Sequence, residues 1–202
     1  MGSSSAVSRV VVGITGASGQ IYGLKAVQLL SEFGIEVHLI VSRAAKVAMK
    51  AEGLKCEEFE KFAFRVYNEN DLGASISSGS FYHDGMIIAP CSMKTASSIA
   101  HGITDNLIAR AADVTLKERR RLVLLVRETP LHTGHLRTLL TLSEIGAVVM
   151  PPVPAFYIKP ENLDDVVEHT VLRALTLLGG EVERKVREKL REWKGIQSNK
   201  VG

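Results

Sequence analysis

Cysteine is scarce in this chain. Cys56 and Cys91 stand alone among 202 residues, which excludes a disulfide framework and fits a reducing compartment, so the cytoplasm is the expected location. Their spacing is not that of a metal site. Long apolar runs are absent as well: none approaches the ~20 residues of a membrane-spanning helix. Met1–Ser5 lacks the apolar centre of a secretory signal, and Ala6 stands where N-myristoylation at Gly2 would want Ser or Thr. Excess charge is missing too. A net charge of +3, with both signs spread along the chain, gives no footprint for nucleic acid. The one basic run, Lys117-Glu118-Arg119-Arg120-Arg121, reads as a solvated helix end. No repeat is visible. The length suits one domain with a sizeable core, expected over residues 9–180, with residues 1–8 a disordered leader and 181–202 a charged helical tail that projects or packs on a neighbouring subunit.

Apolar runs alternate with amphipathic segments, the pattern of a parallel sheet covered on both faces by helices, so the class is α/β, doubly wound. Strands are expected at Val10–Thr15, Glu36–Val41, Gly85–Ala89, Leu122–Val126 and Ala147–Met150, with a short one at Phe64–Tyr67. The helices expected between them are Gln20–Phe33, Ala44–Ala51, Lys94–His101, Asn106–Lys117, Thr133–Ile145 and Leu163–Leu178. Ligands of such sheets bind beyond the carboxyl ends of the strands, where strand order reverses. Functional residues are therefore expected in the loops that follow the strands.

The first of these loops, Gly13-Ile14-Thr15-Gly16-Ala17-Ser18-Gly19, runs from a buried strand into a helix. Its glycines let the backbone turn and approach a ligand, and the helix start offers N–H groups to a phosphate. Met86 to Thr95 repeats the logic, with Pro90 as a rigid turn and Ser92 as an N-cap or ligand contact; Cys91 reads as a buried small residue. The strand at Leu122–Val126 delivers Arg127 and Glu128 side by side. Arg127 suits a phosphate and Glu128 suits proton transfer, although a mutual surface ion pair would look the same in sequence. His132 and His135 lack a third metal ligand and read as capping or packing residues. The proline-rich stretch Pro151–Pro160 carries Phe156 and Tyr157 as a stiff aromatic wall, suited to a planar ring or a developing cation.

Taken in order, Gly13–Gly19, Ala89-Pro90-Cys91-Ser92-Met93-Lys94-Thr95, Asp105–Val114, Lys117-Glu118-Arg119-Arg120, Arg127-Glu128-Thr129-Pro130 and Phe156-Tyr157 resemble the UbiX-type flavin prenyltransferases, from Val10 to about Gly179. The resemblance implies a flavodoxin-like, three-layer fold, a homododecamer, and a metal-independent transferase. It implies that dimethylallyl phosphate and reduced FMN give FMN prenylated at N5 and C6, the cofactor of a UbiD-type decarboxylase. It further implies FMN contacts at Gly16, Ala17, Ser18, Ser42, Ser92, Met93, Lys94, Thr95 and Arg127. Arg110, Lys117, Tyr157 and Arg173 are implied for the prenyl phosphate. Ser18, Glu52, Lys117, Arg127 and Glu128 are implied around the reacting centre, some of them across subunit interfaces. Trp193 corresponds only loosely to the late active-site tryptophan of that family.

The chemistry suits these residue types. Breaking an allylic C–O bond leaves a cation and a phosphate, so guanidinium and ammonium groups must meet the phosphate and a π face the carbon. Two other enzyme classes fit less of the sequence. An NAD(P)-dependent reductase shares the opening loop but needs Tyr and Lys four apart, and no tyrosine here has that partner. A flavin-dependent cysteine-type decarboxylase of the same fold would carry a Pro-Ala-Ser-Ala-Asn-Thr loop where Pro90–Thr95 stands. A flavin carrier would not need Glu128.

Overall fold

The computed structural model describes residues 7–192; Met1–Ala6 and Trp193, the latter a residue of interest above, lie outside them. The chain alternates strictly at first: β1 (Arg9–Ile14), α1 (Gln20–Glu32), β2 (Glu36–Val41), α2 (Arg43–Ala51). After a one-turn helix α3 (Cys56–Glu60) come β3 (Arg65–Tyr67), β4 (Gly85–Cys91), α4 (Met93–Ala100), α5 (Leu107–Lys117) and β5 (Arg121–Val126). The chain closes with α6 (Thr133–Glu144), β6 (Val148–Val149), α7 (Leu163–Thr176) and α8 (Gly180–Arg187). Every expected strand and helix is present, and most ends move by one or two residues. Ser42, Ser92 and Asn106 explain several of these ends: each side chain accepts the N–H three residues on, which starts the helix at the next residue.

All strands are parallel, in the order β3-β2-β1-β4-β5-β6. Five of them follow the flavodoxin order, and the short β3 extends the edge beyond β2. The order reverses between β1 and β4. Because β1, β2, β4 and β5 are covered on both faces, their side chains are buried in unbroken runs rather than alternately. One face packs against α1, α7 and α8 through Val12, Leu39, Ile87 and Leu125, and the other against α4 and α5 through Val11, Ile40, Met86 and Leu124.

Two expectations are corrected at the ends of the chain. Ser8, assigned to the leader, is buried, and its carbonyl accepts the Glu36 N–H at 2.9 Å, which extends the β1–β2 ladder. The described start of the tail does not project: α8 packs on α7, with Val182 and Val186 fully buried in the core. The i,i+4 spacing of these two valines gives a highly charged helix one narrow apolar stripe. Nor is the basic run all solvated. Arg120 donates to the carbonyls of Phe81 and Gly79 at 2.8 and 3.0 Å.

Candidate active site

The loops after β1 and β4 are sewn together at the point of strand reversal by one side chain. Thr15 Oγ1 donates to the Pro90 carbonyl and accepts the Ser92 N–H, both at 2.8 Å, in a position only 1% exposed. The opening loop is braced from within by Gln20, whose buried amide nitrogen donates to the carbonyls of Thr15 and Ala17 at 2.8 and 2.7 Å. Two glycines permit close approach. A Cβ on Gly16 would lie 2.5 Å from Ala44 Cβ, and one on Gly23 would lie 2.3 Å from the Ala89 carbonyl oxygen. Thus α2 is seated on the loop and α1 on β4. The Arg127 N–H donates to the Cys91 carbonyl at 3.0 Å, bringing the end of β5 to the same place.

These contacts frame a cleft of about 500 Å³ lined by Gly16, Ser42, Ser92, Lys94 and Thr95 from the expected flavin set, together with Thr15, Arg43, Glu69, Ser98, Asp105 and Asn106. Ala17 and Met93 are buried beside it, while Ser18, Arg127 and Glu128 are exposed on neighbouring loops. Arg127 and Glu128 form no ion pair among the described residues. The Arg127 charge is felt at Tyr22 instead, where it opposes the upward shift that burial imposes on the phenol.

The first turn of α1 is not open to a phosphate. Glu52 accepts the N–H of Gly19 and that of Gln20 through separate carboxylate oxygens, both at 2.7 Å. The anion for that helix dipole therefore comes from the chain itself, and Gly19, in the left-handed region at φ 92°, takes the N-cap position rather than Ser18. The start of α2 is treated likewise, since the Arg43 N–H donates to Glu69 at 2.6 Å. No carboxylate covers α4 among the described residues. Ser92 caps its third N–H at 3.4 Å, leaving the N–H groups of Met93 and Lys94 facing the cleft end of the helix.

Other expected site residues lie apart. Lys117 ends α5 just before β5 begins, at the opposite end of the strands from the cleft, paired with Glu118 over Gly79. Arg110 is tied to the Ser77 carbonyl at 3.2 Å and to Asp113 at 2.8 Å. Arg173 is exposed in the last turn of α7 and reaches Thr176 at 3.2 Å. The Tyr157 hydroxyl lies 3.4 Å from Nε2 of buried His169, the rings edge to face. His169 Nε2 is also 3.3 Å from the Arg191 carbonyl, which ties the aromatic loop to the segment after α8. His132 caps α6 by accepting the Gly134 N–H at 3.0 Å, its ring against that of His135. Cys91 is fully buried, and burial pushes its thiol up to about 12, which removes it as a nucleophile at neutral pH. Among the described residues no three His, Cys, Asp or Glu side chains are grouped to hold a metal ion, and no helix is long and apolar enough to cross a membrane.

The flavoprotein family matches residues 2–175 of the chain. A flavin prenyltransferase UbiX from Archaeoglobus fulgidus is 57% identical over 87% of this chain and 97% of its own length. A UbiX crystal structure in complex with FMN and dimethylallyl pyrophosphate superposes with a TM-score of 0.88 at 44% identity, covering 94% of this chain and 98% of that one. A dodecameric FMN-dependent UbiX-like decarboxylase from Escherichia coli O157:H7 gives 0.86 at 44% identity, covering 93% and 100%. By this similarity over almost the whole length, the chain belongs to the flavoprotein family, among its UbiX-type flavin prenyltransferases.

Proposed function

We propose that the chain transfers the dimethylallyl group of dimethylallyl phosphate to reduced FMN, giving the prenylated flavin used by a UbiD-type decarboxylase, and that it works as a homo-oligomer in a reducing cytoplasm. The observation that carries this reading is the cleft at the strand reversal, with hydroxyls on both walls and an open α4 N-terminus. It suits FMN: a phosphorylated polyol needs hydroxyl partners along its length and amide N–H groups with a cation at its end, and Ser42, Ser92, Thr95, Lys94 and the first turn of α4 supply them. Gly16 and Ala17 bring backbone, not side chain, to the flavin, Met93 supplies its N–H, and Arg127 borders the ring end.

Reduced FMN, when bound, supplies the nucleophile for the prenyl carbon. The residues of the chain handle charge and protons around it. Arg127 faces the departing phosphate, joined by Arg110, Lys117 and Arg173, which lie apart from the cleft within one protomer and reach it across subunit contacts. Lys117 lies at the far end of the sheet and acts on the cleft of a neighbouring copy. The π face of Tyr157 shields the allylic carbon while positive charge develops there, and its hydroxyl holds the phosphate. Glu128 takes the proton released as the new ring closes, with Ser18 as a hydrogen-bond relay. Glu52, fixed by two amides one residue from Ser18, holds that corner of the loop rigid and negative.

The test is anaerobic incubation of the protein with reduced FMN and dimethylallyl phosphate, followed by mass measurement of the released flavin. A mass raised by one prenyl unit is expected. An unchanged mass with FMN bound refutes the proposal.

A further inference from the structure

Two carboxylates line the cleft, and one of them, Glu69, is fixed inside it. Its backbone carbonyl accepts the Leu107 N–H at 2.7 Å, anchoring it to the start of α5. Its side chain crosses to α2 and accepts the Arg43 N–H at 2.6 Å. The other carboxylate, Asp105, is exposed and engaged with the Asn106 side chain at 2.9 Å. Ala44 of α2 lies against Gly16, where a Cβ on the glycine would come within 2.5 Å of it. The cleft therefore pairs cations of Arg43 and Lys94, which form no ion pair among the described residues, with a built-in negative charge on the same wall.

The phosphate of FMN is mostly a dianion at neutral pH. A binder built for retention would leave both cations and both helix starts to it, yet here a half-buried carboxylate occupies one of those starts.

We propose that Glu69 sets the strength of flavin binding: its fixed charge beside the phosphate-binding wall holds FMN more loosely than the cleft's cations and amides alone would, so that a flavin made there can be handed on. The inference rests on the reading that the flavin is a substrate which must leave. Glu69 touches no reacting atom; it acts through charge on the phosphate end. It discriminates by charge, weakening FMN and leaving the phosphate-free riboflavin alone.

The test uses the full-length protein and flavin fluorescence titrations with FMN and with riboflavin, for the wild type, Glu69→Gln and Glu69→Asp. Gln keeps an acceptor for the Arg43 N–H and removes the charge; Asp keeps the charge. Expected for Glu69→Gln is an FMN Kd lower by about three- to tenfold at low salt, shrinking at high salt as screening sets in. FMN dissociation in stopped flow slows by a similar factor, while the riboflavin Kd stays within about twofold. Glu69→Asp should keep the wild-type ratio of FMN to riboflavin affinity. The inference is overturned if Glu69→Gln leaves FMN binding unchanged or weakens it, if FMN and riboflavin shift together as a loosened loop would make them, or if the wild type binds no FMN. FMN tightening in a protein that forms no prenylated flavin would refute the proposed function alone, and prenylation without tightening would refute this inference alone.

Discussion

Thr15→Val is nearly isosteric and removes the one hydroxyl that joins the β1 and β4 loops. Two hydrogen bonds are lost, one donated to the Pro90 carbonyl and one accepted from the Ser92 N–H. The Pro90 oxygen keeps a weaker partner in the Thr15 N–H at 3.3 Å, whereas the Ser92 N–H loses its partner at a half-buried position. At about 1 kcal/mol per bond, plus about 1 kcal/mol for the unsatisfied amide, the expected loss is about 2–3 kcal/mol. For a chain of this size that lowers Tm by about 5–10 °C. Thr15→Ser keeps the hydroxyl and should lose about 1 kcal/mol, the share of the methyl group. Urea unfolding and thermal melts at one fixed protein concentration measure this, because association adds stability by mass action. FMN affinity should fall in Thr15→Val and hold in Thr15→Ser, since the same hydroxyl sets the distance between the walls of the cleft. A Thr15→Val protein within about 0.5 kcal/mol of the wild type would refute the claim that this hydroxyl is the seam.

Three further outcomes are expected. In Gly23→Ala the new Cβ meets the Ala89 carbonyl at 2.3 Å and Ile14 Cδ1 at 2.6 Å, so α1 must lift from β4 at a cost of about 1–3 kcal/mol, read by urea unfolding. Burial, then the Arg120 charge, hold the imidazole of His83 down to about 4. Its folded pKa lies below the unfolded value near 6.5, so the stability tied to neutral His83 is complete above about pH 6.5 and is lost as pH falls toward 4. About 3 kcal/mol is at stake. His83→Gln should flatten the stability profile in that window, and an unchanged slope would exclude His83 as its source. Glu128→Gln keeps an acceptor for the Thr129 N–H, which Glu128 accepts at 3.2 Å. It should bind FMN within about twofold of the wild type and lose prenylation by about a hundredfold or more in single-turnover assays; normal turnover would remove Glu128 as the proton-transfer group.

The layered sheet and its helices were legible because periodicity and capping are local: Ser42, Ser92 and Asn106 sit where helices begin and also cap them. α3 escaped because a single turn has no period to read. The burial of Val182 and Val186 was within reach, since their spacing repeats every helical turn amid charges, but the charges dominated the window. The site was legible loop by loop and not in its internal bonds. Glu52 reaches Gly19 only because α2 lies beside α1 in the finished sheet, a contact between residues far apart in sequence. Gln20 reads as an ordinary first helical residue until the loop folds back over it. The same topology explains why Lys117 and the cleft, both expected in one active site, sit at opposite ends of one protomer.

Both borders of the sheet are stubs. β3 has three residues, with Arg65 exposed at its start, and β6 has two. A border that short offers too few free amide and carbonyl groups to template another strand, so this chain is protected from edge-to-edge growth into fibrils even though its sheet is built from long buried runs of Val, Ile and Leu. Its exposed large apolar side chains include, on the flanks, Leu136 and Leu140 of α6 and Val153 and Phe156 beyond β6. Contact between copies made there would join side chains rather than strand edges, and would leave the hydrogen bonding of the sheet as it is.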